Sequence, residues 1–108
     1  MMHFVNLDRI RSLRMVRDEI DKLSNERNID VNVREKSLHL ARIALEQNPL
    51  LDPKTLAIAC LFITLRDEGL LTPNLVYTIL NGSASDFSWI PLSRVIEKWR
   101  ANRREVRD

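Results

Sequence analysis

One stretch constrains this chain more than any other: Leu56-Ala57-Ile58-Ala59-Cys60-Leu61-Phe62-Ile63-Thr64-Leu65, which carries no charge. Asp52-Pro53 before it supplies a capping carboxylate and a proline suited to a first helical position, and Gly69 after it supplies a stop. The spacing predicts a helix over residues 53–68. At about 100° per residue, its apolar side chains point in every direction. A helix that is apolar all round must be covered all round. The run is far short of the about 20 residues needed to cross a bilayer, so other parts of the same chain must surround it. Ala57, Ala59 and Cys60 are small enough to let those neighbours approach closely.

The remaining sequence supplies such neighbours. A first helix is expected from a cap at Asn6 or Asp8 to Arg27, with Asn28 as a left-handed stop. Its Ile10, Leu13, Val16, Ile20 and Leu23 keep a three-four spacing. Asn32 and Glu35 resemble a capping box for a second helix that ends near Gln47, before Asn48-Pro49. Thr72-Pro73 opens a short fourth helix that closes at Asn81-Gly82. A polar loop over 83–88 leads to a fifth helix, from Trp89 or Pro91 to Val106. The expectation is an all-α, five-helix orthogonal bundle, one domain over 1–108, with the third helix at its centre.

Bulk properties fit that plan. The chain has 108 residues, 44% hydrophobic and 30% charged, which suits one globular domain. A single cysteine, Cys60, excludes an intramolecular disulfide and fits a reducing, cytoplasmic setting. The N-terminal residues lack the charged-then-apolar pattern of a signal peptide, and no membrane association is expected. A net charge of +2 is too small to establish a nucleic-acid partner by itself.

The third to fifth helices carry a family pattern. The stretch Ala57-Ile58-Ala59-Cys60-Leu61-Phe62-Ile63-Thr64-Leu65-Arg66-Asp67-Glu68-Gly69 is an alanine-rich apolar helix that closes on an arginine, acidic residues and a glycine. Thr72-Pro73-Asn74-Leu75-Val76-Tyr77-Thr78-Ile79-Leu80 is a threonine-led short helix, and Ile96, Trp99 and Arg100 pair an aliphatic residue with an aromatic-arginine step. In these features the chain resembles the cyclin fold, most nearly a single core repeat of transcription factor IIB and archaeal transcription factor B. The match covers residues 32–106. It implies a cyclin-like domain that binds protein and DNA, with helices four and five similar to a helix-turn-helix. The chain departs from the general factors in having one repeat, no Cys-x-x-Cys zinc ribbon and a shorter turn before Thr72.

Motifs for catalysis are sparse. No glycine-rich phosphate loop is present, since Gly69 and Gly82 stand far apart. One cysteine with two histidines, His3 and His39, cannot make a clustered zinc site. Cys60 lies between Ala59 and Leu61, a setting for packing rather than for a reactive thiolate. We expect no enzyme activity, no cofactor and no small-molecule substrate.

Charge and aromatic residues give the candidate sites. From Arg94 onward, six basic residues face three acidic ones. On a helical wheel of the fifth helix Val95, Trp99 and Val106 share one apolar face with Ile96 at its margin. Arg100, Arg104 and Arg107 fall together on one flank, and Arg94 and Lys98 on the other. These five are the candidate nucleic-acid contacts; a solvated helix end explains them equally, because cations favour a C-terminal turn. Arg66 ends an otherwise apolar helix and needs a counter-charge or an interface. Phe87 and Trp89 flank the entry to the fifth helix, where they either staple it to the core or, if exposed, mark a protein interface. The functional expectation is an adaptor that binds another protein or a multi-subunit complex, with DNA as a further partner. The alternative is a purely protein-binding subunit or regulator without DNA contact. A homodimeric structural protein is a third reading.

Overall fold

A computed structural model describes the backbone of residues 2–83 and 88–107, and the side chains of residues 9–79 and 88–102. These residues form five helices and no strand: α1 (Met2–Arg27), α2 (Val31–Gln47), α3 (Pro53–Asp67), α4 (Pro73–Ser83) and α5 (Trp89–Arg107). None of these helices is long and apolar enough to cross a membrane.

Local chemistry explains most of the boundaries. α1 ends at Asn28, whose φ of 54° is left-handed, and the Ile29 amide reaches back to the Ser24 carbonyl at 2.9 Å. α3 ends in the same way at Gly69, with φ of 71°, where the Leu70 amide meets the Leu65 carbonyl at 2.8 Å and the Gly69 amide meets that of Arg66 at 3.1 Å. Both are Schellman turns, which satisfy carbonyls that a helix end otherwise leaves bare. The Asp52 carboxylate accepts from the Thr55 amide at 3.0 Å, and the Thr72 hydroxyl from the Leu75 amide at 3.1 Å, so α3 and α4 start as predicted.

Two starts differ from the sequence expectation. α1 runs through Asn6 and Asp8 back to Met2, because those residues cost a helix interior only a few tenths of a kcal/mol and no glycine or proline stops it. α2 begins at Val31 with Asp30 as its extended N-cap, so Asn32 and Glu35 lie inside the helix rather than framing it. The Schellman turn at Asn28 returns the chain so tightly that helix resumes before a capping box could form. Asp30 makes no side-chain cap; the Arg34 Nε instead donates to the Ile29 carbonyl at 3.2 Å.

α3 packs against all four other helices. Leu56 to Leu65 are buried except for Phe62, which is partly so, and Ala57, Ala59 and Cys60 have no exposed surface. Val16, Ile20 and Leu23 of α1, Val33, Ala41 and Ala44 of α2, Ile79 of α4 and Ile96 of α5 complete the core around it. The polar group inside the run is satisfied locally: the Thr64 hydroxyl donates to the Cys60 carbonyl at 2.9 Å. Arg27 ties α4 to α1, donating to the Thr78 carbonyl.

Candidate interaction surface

The C-terminal end of α3 presents two carboxylates to the negative end of its own dipole, an arrangement that needs cations from elsewhere. Asp67 Oδ2 accepts from Arg100 of α5 at 2.8 Å, and Glu68 from Lys36 of α2, also at 2.8 Å. Arg66 reaches Glu97 of α5 at 2.8 Å and its neighbour Asp67 at 3.4 Å. Arg66, Asp67, Glu97 and Arg100 thus form one chain of charges bridging α3 and α5. Hydrogen bonding to Glu97 raises the Arg66 pKa, against a smaller effect of burial. Burial alone would raise the Asp67 pKa; the Arg100 hydrogen bond and charge, with Arg66 adding, outweigh it and hold the carboxyl below its ordinary value.

This bridge changes the account of α5. The predicted wheel placed Arg100 on a solvent flank, with Val95 on the core face. In the structure Ile96 is fully buried, Ser93 is buried and Val95 is exposed, so the helix is turned toward Ile96. Arg100, four residues beyond Ile96, falls on the same inner side and meets Asp67. It is a brace between helices rather than a free phosphate contact. Arg94 and Lys98 face outward, and among the described residues neither forms an ion pair. Arg104 and Arg107 lie outside the described side chains.

The predicted protein-interface residues also have definite places. Arg66 is half exposed but engaged with Glu97. Trp89 is only 6% exposed, and its ring lies 4.8 Å from that of Phe62 in a tilted pair. It staples the start of α5 to α3, and an exposed aromatic anchor at this position is ruled out. Phe87 falls outside the described residues. His39 is exposed on α2 and Cys60 is buried, where the low-polarity surroundings push its thiol pKa up.

The feature that sequence reasoning missed lies between α1 and α2. Ile10, Leu13, Arg42, Leu45, Glu46 and Arg9 line a hollow of about 350 Å³. A second hollow of about 200 Å³ adjoins it, lined by Leu38, Arg14 and Arg17 together with Ile10, Leu13 and Arg42. The three shared residues make these one groove. Its floor is apolar and its rim is cationic. Ile10 remains 55% exposed although it belongs to the apolar series of α1. At about 100° per residue it sits roughly a quarter-turn outside the stripe of Val16, Ile20 and Leu23, and that offset is the signal in the sequence. Arg14, Arg17 and Arg42 are exposed and form no ion pair among the described residues. No three His, Cys, Asp or Glu side chains gather as a metal site among the described residues.

No protein-family model, curated protein or solved structure matches this chain.

Proposed function

We propose that the chain is a non-enzymatic adaptor, cyclin-like and similar to one core repeat of transcription factor B, that acts by binding another protein. The α1–α2 groove carries this reading. Its exposed Ile10, half-buried Leu13 and cations Arg14, Arg17 and Arg42 take no part in the ion pairs that hold the helices together. An apolar groove rimmed by polar groups is one form that a binding site on a protein surface takes. The cyclin-like assignment is supported by the residue pattern of α3 to α5 and by the central place of α3.

DNA contact is a second reading, favoured by Arg94 and Lys98, which project from α5 without a counter-charge among the described residues. Contacts of that kind bind phosphates with little regard to sequence and weaken steeply with salt.

Two measurements test these readings together. Affinity capture from the source cells, with the full chain as bait, should recover a protein partner in stoichiometric amount. Recovery of the bait alone would reject the adaptor reading. Titration of duplex DNA at several salt concentrations should separate the second reading from the first. If α5 binds phosphates, replacing Arg94 and Lys98 by alanine should flatten the plot of log affinity against log salt by about 0.9 per lost contact. Absence of salt-dependent binding by the parent would leave protein binding alone.

A further inference from the structure

We infer that the α1–α2 groove receives an acidic amphipathic helix of the partner protein, an assignment that rests on the adaptor reading and specifies its chemistry. The shape of the groove fits a helix. The two hollows share Ile10, Leu13 and Arg42 and so lie side by side along one pair of helices. From Arg9 to Arg17 the α1 wall rises about 12 Å, or roughly two helical turns. A groove of that length, with Ile10 and Leu13 shared by both hollows and Leu45 and Leu38 at one each, suits side chains on successive turns of a docked helix, the i, i+3 or i+4 anchors of helix-in-groove recognition.

The charge of the groove selects an acidic one. The residues lining the two hollows include four arginines, Arg9, Arg14, Arg17 and Arg42, against one carboxylate, Glu46. Arg14, Arg17 and Arg42 have no ion-pair partner among the described residues, in contrast to Arg66 and Arg100 at the other charged cluster. The fold has paired the cations that it needs for its own helices and left these exposed beside an apolar floor. A ligand complementary to both features has an apolar stripe flanked by Asp or Glu. Duplex DNA would satisfy the arginines and leave Ile10 and Leu13 without an apolar partner.

The test uses the full chain and a synthetic helical peptide with leucines at i, i+3, i+4 and i+7 and glutamates on the flanks. One control carries lysines in place of the glutamates, and a second has the same composition with the leucines scattered. The acidic amphipathic peptide should bind, should lose affinity as salt rises, and should shift the amide resonances of Ile10, Leu13, Arg42 and Leu45. R14E/R17E/R42E should weaken it by about tenfold or more with an unchanged circular dichroism spectrum. Ile10→Ser, a change at an exposed side chain, should weaken it as well and serves if the triple variant alters the fold.

Equal binding of the lysine or scattered peptide, no binding by the folded parent, or shifts confined to α5 would overturn the assignment. So would shifts at these residues on addition of duplex DNA but not peptide, or on concentration of the chain alone, which would indicate a second copy in the groove. A captured native partner whose footprint lies elsewhere would remove this assignment and leave the adaptor reading in place. Peptide binding with no native partner recovered would do the reverse.

Discussion

At the scale of single residues, α3 works because three of its side chains are small. Ala57, Ala59 and Cys60 have no exposed surface, and their size lets the surrounding helices come close. Cys60 illustrates how completely the site is sealed: desolvation pushes its thiol pKa up, which leaves very little thiolate for chemistry. Adding volume here must displace a neighbouring helix, because protein interiors are close-packed. Ala59→Leu should therefore lower stability by about 1–3 kcal/mol, read as a lower urea midpoint with an unchanged slope. An unchanged midpoint would show that α3 has room on that side. The centrality of α3 was legible from composition alone, since an apolar helix too short for a membrane has no other place to go. The exposure of Ile10 was harder to read. It keeps the three-four spacing, and only its position on the wheel, about a quarter-turn from Val16, Ile20 and Leu23, marks it; how far α2 covers that flank is a contact between elements that spacing does not specify.

Among elements, the division falls between local and non-local causes. The stops at Asn28 and Gly69 and the starts at Asp52-Pro53 and Thr72-Pro73 are decided within a few residues, and they stand where the sequence places them. The rotation of α5 was not legible. Its stripe contains both Val95 and Ile96, and only packing against α3 selects Ile96, which then carries Arg100 round to Asp67. The counter-charges for Asp67 and Glu68 were legible as a need but not as names, because Arg100 and Lys36 come from other helices. A pH dependence follows. The folded Asp67 carboxyl sits below its ordinary value of about 3.9, so its contribution is fully present above that value and is lost as pH falls through the lower, folded one. Asp67→Asn removes the charge at every pH. The parent should be the more stable at neutral pH, and the gap in melting temperature should close as pH drops below about 4. A gap that is constant from neutral pH down to pH 3 or below would mean that Asp67 and Arg100 do not interact through charge. Because Asp67 is more than a third exposed, solvent screens the pair and the gap should be modest.

For the whole molecule, the decisive fact is that one helix packs against all the others. α3 packs on α1, α2, α4 and α5, and all five helices contribute buried apolar residues to one cluster. Removing any neighbour exposes a face of α3 that has no polar side, so partial unfolding gains chain entropy but uncovers apolar surface on the most hydrophobic element. Such a chain should unfold as a unit. Both tryptophans lie on α5, and Trp89 packs against Phe62 of α3, so tryptophan fluorescence reports the α3–α5 interface. Far-ultraviolet circular dichroism reports all five helices. In urea the two signals should trace one transition with a common midpoint and slope, as two-state unfolding requires. The groove arginines bear on the same experiment. Arg14, Arg17 and Arg42 are exposed and take no part in the ion pairs that join helices, so R14E/R17E/R42E should keep both the coincidence and a midpoint close to the parent's. A circular dichroism midpoint below the fluorescence midpoint would mean that one or more of α1, α2 and α4 leaves before α3 and α5 separate. Loss of coincidence only in the triple variant would instead show that those arginines hold α1 against α2.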